Sequence, residues 1–304
     1  MWEPLGTLKK IYLILVAVAA GLLLQRICDT AKIPEIPDYQ AVLLFGRHAS
    51  SAFLILLASL LVLCLISTLI TRRLRFEAGL YCTCLALATL AVRAGSMGDL
   101  LRSAQSPAIF KYAILESCLL YIFLLTCWGL LCAMQRKKWL PANPVDTELD
   151  DRPTPARIAT AMLVQMGITA LIVSLLARND SMKQAIVSVF VGALVGSVMS
   201  HQTFPIRQSI WLWTGPMIIS IVGYIRAIFM PAHAGLMLIN NPLARPSPLT
   251  YASVGTAASI LGYWVSRQWH ESSEKHDMEV DLFGEKNVEI PITGFEGNSA
   301  DPLL

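Results

Sequence analysis

Residues 52–71, AFLILLASLLVLCLISTLIT, run without one charged side chain. A window of about 18 or more apolar residues exceeds what a soluble core helix needs and suits a lipid solvent. The pattern recurs along the chain and predicts eight crossings, at residues 11–28, 52–71, 78–95, 112–134, 158–177, 184–200, 209–230 and 250–266. Inside a bilayer the backbone has no water to bind, so each crossing must close its own hydrogen bonds as a helix. The expected fold class is all-α: a polytopic helix bundle of a multi-pass integral membrane protein, with the lipid bilayer as its first partner. The last crossing is rich in Ser, Thr, Gly and Ala, which suits a helix buried among others, because small residues let backbones approach.

Composition narrows the function classes. The 304 residues are 55% hydrophobic and 15% charged, against roughly 25% charged in soluble domains. A net charge of +3 is too small to argue for nucleic acid. No glycine-rich phosphate loop follows a strand pattern, and no cofactor is expected. Six of the seven cysteines lie inside apolar runs, with no CxxC pair and no His/Cys ligand spacing, so neither a disulfide framework nor a metal site is expected.

Basic residues set the expected orientation. Lys9 and Lys10 precede the first crossing, Arg72, Arg73 and Arg75 follow the second, and Arg136, Lys137 and Lys138 follow the fourth. Arg207 and Arg267 flank the seventh and eighth. With eight crossings all of these share one side, which predicts cytoplasmic N- and C-termini. Trp2, Trp139, Trp211, Trp213, Trp264 and Trp269 would form an aromatic belt on that side. The apolar run after Lys9 and Lys10 continues without a small-x-small site, so an uncleaved first helix is expected.

The organisation reads as a front half of four helices (1–138), a linker (139–157), a back half of four (158–266) and a tail (267–304). The linker WLPANPVDTELDDRPTPAR holds four prolines and four acids. Residues 271–304 carry nine acids against two lysines, a balance expected to stay solvated. The proline-bearing loops 29–50 and 231–249 are expected to form short interfacial helices or a lid.

Few residues break the membrane pattern. In KYAILESCLLYI, Glu116 falls about 6 Å below the exterior boundary at 1.5 Å per residue. Arg226, near the end of the seventh crossing, falls at the same depth, and Arg93 ends a short third crossing. Charges in a membrane usually face the bundle interior and pair, so depth predicts a buried layer of Glu116 with Arg226 or Arg93. The alternative is that the arginines snorkel outward and Glu116 meets headgroups or loop backbone. Gln165, in mid-crossing, reads as an interhelical hydrogen-bonding group. Gly192 and Gly196 form a Gly-x-x-x-Gly packing surface, and Pro216 is expected to kink the seventh crossing. Cys118, His233 and the arginines Arg93 and Arg226 would be the residues of an exterior-facing enzyme.

Three functions fit these features. One is binding or transport of a small solute through the bundle. The second is a non-catalytic scaffold subunit, contacting a membrane-protein partner through the sixth crossing or the acidic tail. The third, weaker, is a membrane-embedded enzyme.

Overall fold

The computed structural model describes residues 7–30, 41–45, 49–71, 77–93, 95–104, 106, 108–137, 154–206, 208–229 and 241–284. Every regular element among them is helical. The chain divides into two compact units, 1–266 and 267–304.

In the first unit, α1 (Thr7–Thr30), α2 (Ala49–Thr71) and α3 (Ala78–Ala91) precede a short α4 (Met97–Ala104) and the long α5 (Ala108–Arg136). Then come α6 (Pro155–Leu176), α7 (Met182–Thr203), α8 (Ile210–Trp213) and α9 (Gly215–Phe229). One turn of helix, α10 (Pro248–Thr250), leads through a π-helical segment, Tyr251–Gly255, into α11 (Thr256–Gly284). Four stretches are long and apolar enough to cross a membrane: α5, α6, α7 and Ile210–Phe229. Shorter apolar stretches lie at Ile11–Leu24, Phe53–Leu69 and Ala78–Ala91. The third predicted crossing stops early: α3 has 14 residues, about 21 Å against a hydrocarbon core of about 30 Å.

Local chemistry explains the boundaries. Thr154 has extended backbone and its side chain accepts from Arg157 N at 3.4 Å, with Pro155 at the first helical position, so α6 starts there. Helix α4, which the hydropathy pattern did not predict, starts at a serine N-cap. Ser96 Oγ accepts from Asp99 N at 3.0 Å and donates to Asp99 Oδ2 at 2.8 Å. Gly95, at φ 81°, turns the chain out of α3 into that cap.

The seventh predicted crossing is two helices. It breaks at Thr214, two residues before Pro216, whose ring removes the bond to Leu212 O and crowds that carbonyl. The eighth is the most enclosed part of the bundle, with every residue from Tyr251 to Ile260 buried. Its small residues allow this. Gly255 packs on Pro216 Cβ, and a Cβ on Gly262 would stand 2.6 Å from Leu194 O.

One expectation needs correction. Trp213 and Trp264 are buried inside the bundle (0% and 6% exposed) and do not form an outward belt there, whereas Trp211 and Trp269 are exposed. Trp2 and Trp139 lie outside the described residues. In the second unit, residues 267–284 are helical, as part of α11. Most of the 139–157 linker and residues 231–240 and 285–304 lie outside the described residues.

Gly262 gives a direct test of the packing. Gly262→Ala places a methyl against backbone that cannot swing aside, and should cost about 1–3 kcal/mol. Gly129→Ala, where nothing lies within 4 Å, should be neutral or stabilising by up to about 1 kcal/mol. Thermal unfolding of the two purified variants in detergent separates them.

Candidate functional site

Helix α5 turns Ile109, Ala113, Glu116, Ser117, Leu120 and Leu124 toward the core. Glu116 is fully buried (0% exposed). Its Oε2 accepts from Leu44 N at 3.1 Å. Leu44 belongs to a 3₁₀ turn, Leu43–Phe45, that follows the buried Ala41 and Val42. The carboxyl group therefore caps a segment of the 29–50 loop that dips into the bundle, as a side chain at a helix start would. The end of the bundle is closed over it by an apolar cluster that includes Val42, Met97, Leu100, Phe110 and Tyr224. One residue further along α5, Ser117 accepts from Ser220 Oγ of α9 at 3.2 Å. Glu116 Oε1 has no hydrogen-bond partner among the described residues.

Depth put Glu116, Arg93 and Arg226 in one layer; the structure does not bring them together. Arg93 and Arg226 are exposed, and among the described residues neither forms an ion pair with Glu116. The reason is angular. Each residue turns a helix by about 100°, and on α9 the residues at Val222, Ile225, Arg226 and Phe229 point outward while Ser220, Gly223, Tyr224 and Ala227 point inward. Arg93 lies in the turn beyond the end of α3.

A different trio carries the charge pairing at this end. Asp180, in the turn between α6 and α7, lies 3.3 Å from Arg102 Nη2 of α4 and 3.4 Å from Arg245 Nε. Arg245 Nη1 also donates to Ala177 O at 2.5 Å. Gly98 lets α4 press on Asp180, its Cβ position lying 2.6 Å from Asp180 Cβ. Sequence offered signals for this: ARND is the one charged break between two apolar helices, and SMGD announces the cap of α4.

The opposite end of α3 has a buried acid that hydropathy treated only as a boundary. Glu77, 3% exposed, accepts from Ser209 Oγ through Oε1 and from Trp264 Nε1 at 2.6 Å through Oε2. It joins the starts of α3 and α8 to α11.

Between the two ends lies the other polar break. Gln165 is 0% exposed at the middle of α6. Its Nε2 donates to Thr169 Oγ1 at 3.3 Å, and Thr169 Oγ1 donates to Gly192 O at 3.1 Å. Gly196 brings α7 onto the same spot, its Cβ position lying 2.9 Å from Gln165 O. The Gly192 and Gly196 face is thus occupied by α6 of the same chain. The outward face of α7, with Val187, Val195 and Met199, is the one left to lipid or to another protein. Gln165 Oε1 has no conventional partner among the described residues and lies against Gly215, at the start of α9, where a Cβ would overlap the carboxamide.

Cys118 is half-buried on α5, and His233 lies outside the described residues. Searched against protein-family models, curated proteins and solved structures, the chain matches none.

Two tests follow. Gly215→Ala should destabilise the protein strongly, and Gln165→Ala should rescue it by vacating the space the methyl needs. A coupling of about 1–3 kcal/mol in the double-mutant cycle is expected. Arg245→Met should cost about 2 kcal/mol, because it strips a half-buried acid and a carbonyl of a charged donor. Arg102→Met, at an exposed arginine, should cost less than about 1 kcal/mol. Denaturant or thermal unfolding reads both.

Proposed function

We propose that the protein is a multi-pass membrane protein with eight crossings and cytoplasmic termini, and that it binds and moves a small solute through its helix bundle. The observation that carries this reading is Glu116. A fully buried carboxyl, one oxygen on a loop backbone and the other without a partner among the described residues, is a costly feature that ordinary packing does not need. Gln165 supports it from mid-depth, next to a helix break at Thr214 and opposite the π-helical segment. Irregular backbone at membrane depth is tolerated where it is enclosed by protein or lines a cavity, and transporters place solute sites at such breaks.

The scaffold reading has its own support in the continuous burial of Tyr251–Ile260. Accessibility separates the two. In a variant freed of native cysteines and reconstituted in vesicles, Gln165→Cys should react with a small water-soluble thiol reagent. Leu171→Cys, on the outward face of the same helix, should not. Absence of reaction at position 165 under conditions that label a loop cysteine rejects a solute path and leaves a solid scaffold.

A further inference from the structure

Among the described residues, three acids of the first unit, Glu77 and Glu116 buried and Asp180 half-buried, are held in three ways. Asp180 has two arginines. Glu77 has the Ser209 hydroxyl and the Trp264 indole. Glu116 has the backbone N–H groups of Leu43 and Leu44, the latter 3.1 Å from Oε2, and Oε1 has no partner among the described residues. The cations on neighbouring elements are directed elsewhere. Lys111, Arg93 and Arg226 stand exposed, and Arg102 and Arg245 approach Asp180. Of the other titratable groups on the surrounding elements, Asp99 of α4 is exposed. Tyr224 of α9 donates to Pro246 O, Tyr251 of the π segment donates to Leu243 O, and Cys118 follows on α5 itself. Among the described residues no cation approaches Glu116, and a carboxyl group enclosed in apolar surroundings either takes up a proton or gains a compensating positive charge.

We infer that Glu116 is an exchange site for a monovalent cation, a proton or a small alkali ion, that enters beneath the Leu43–Phe45 turn. The inference rests on the solute-binding reading and names the class of its ligand. The site is compact: Ala113 and Ser117 flank Glu116 on the inward face of α5, and Tyr224 and Ser220 face it from α9. The same carboxyl group both tethers the turn through Oε2 and offers Oε1 to the cation, so occupancy and closure of the turn are linked. The Ser117 and Ser220 hydroxyls are the next oxygens along the facing helices.

The test compares the full-length protein with Glu116→Gln in nanodiscs, following the thermal midpoint by tryptophan fluorescence. Glutamine keeps a carbonyl oxygen for Leu44 N–H and removes the charge. One arm exchanges sodium, lithium and potassium for N-methylglucamine at fixed pH and ionic strength. The other varies pH at fixed salt. The wild type should shift its midpoint by several degrees in one arm, which identifies the cation, and the variant should be flat in that arm. Equal responses of the two proteins in both arms, or no response of the wild type in either, overturns the proposal. Should Glu116→Gln fail to fold, Glu116→Asp replaces it. Its shorter side chain should displace the same response at least tenfold in cation concentration, and an undisplaced response is again fatal. Failure of this site and failure of solute passage are told apart by position 165. A cysteine that labels there while Glu116→Gln behaves as wild type keeps the path and loses the cation. The converse keeps the cation site and loses the path.

Discussion

Much of this bundle follows from one constraint: a polar group placed among apolar helices needs a compensating partner. The enclosed acids Glu77, Asp180 and Glu116 meet it in three ways, and each builds a different piece of architecture. Two side-chain donors on Glu77 gather the starts of α3 and α8 onto α11. Arg102 and Arg245 at Asp180 gather α4, the α6–α7 turn and the approach to α10. Leu44 N–H on Glu116 draws a loop segment down into the bundle. The acids thus act as assembly points for elements that hydrophobic burial alone, being non-directional, would leave free to slide.

The same constraint governs the crossings between helices. Thr, Ser and Gln side chains at those contacts bond to backbone carbonyls close at hand, as Ser200 Oγ does to Ala161 O at 2.6 Å and Ser197 Oγ to Ser259 O at 2.8 Å. Such bonds require backbones nearer than Leu or Ile would permit. Glycine supplies the approach at Gly192, Gly196, Gly215, Gly255 and Gly262. This accounts for the weak hydropathy of the last helix. Its polarity is the chemistry of contact on every side, while α6, with Leu163, Leu171 and Leu175 outward, keeps the apolar face of a helix at the periphery.

How much of this was legible in the sequence depends on which coordinate is asked for. Position along a helix follows from hydropathy and rise per residue, and the helices do fall close to the predicted stretches. The angle around a helix does not follow from depth, and that is why Arg226 shared a level with Glu116 without sharing a face. The inward stripe of α5, at 109, 113, 116, 120 and 124, was readable as a period. On α9 both faces are apolar, so periodicity gave no direction for Arg226. Partners across long sequence distance were not legible at all. Nothing in the local sequence ties Glu77 to Trp264, 187 residues away, or Leu44 to Glu116. Capping signals fared better, since SMGD fixes α4 by chemistry confined to four residues.

The tethers also determine where the bundle yields. At one end Glu77 fixes the start of α8 and the Trp264 turn of α11 to α3. At the other end the far part of α9 is tied to the 241–251 segment. Tyr224 donates to Pro246 O at 2.6 Å, Asn241 Nδ2 donates to Gly223 O at 2.8 Å, and Tyr251 donates to Leu243 O at 2.9 Å. Between these fixed ends the α8–α9 break and the π-helical segment meet side by side, Gly255 against Pro216. A proline break and a π segment are the two places where a helical ladder bends at least cost. The contact is close-packed, with Gln165 pressed on Gly215 beside it.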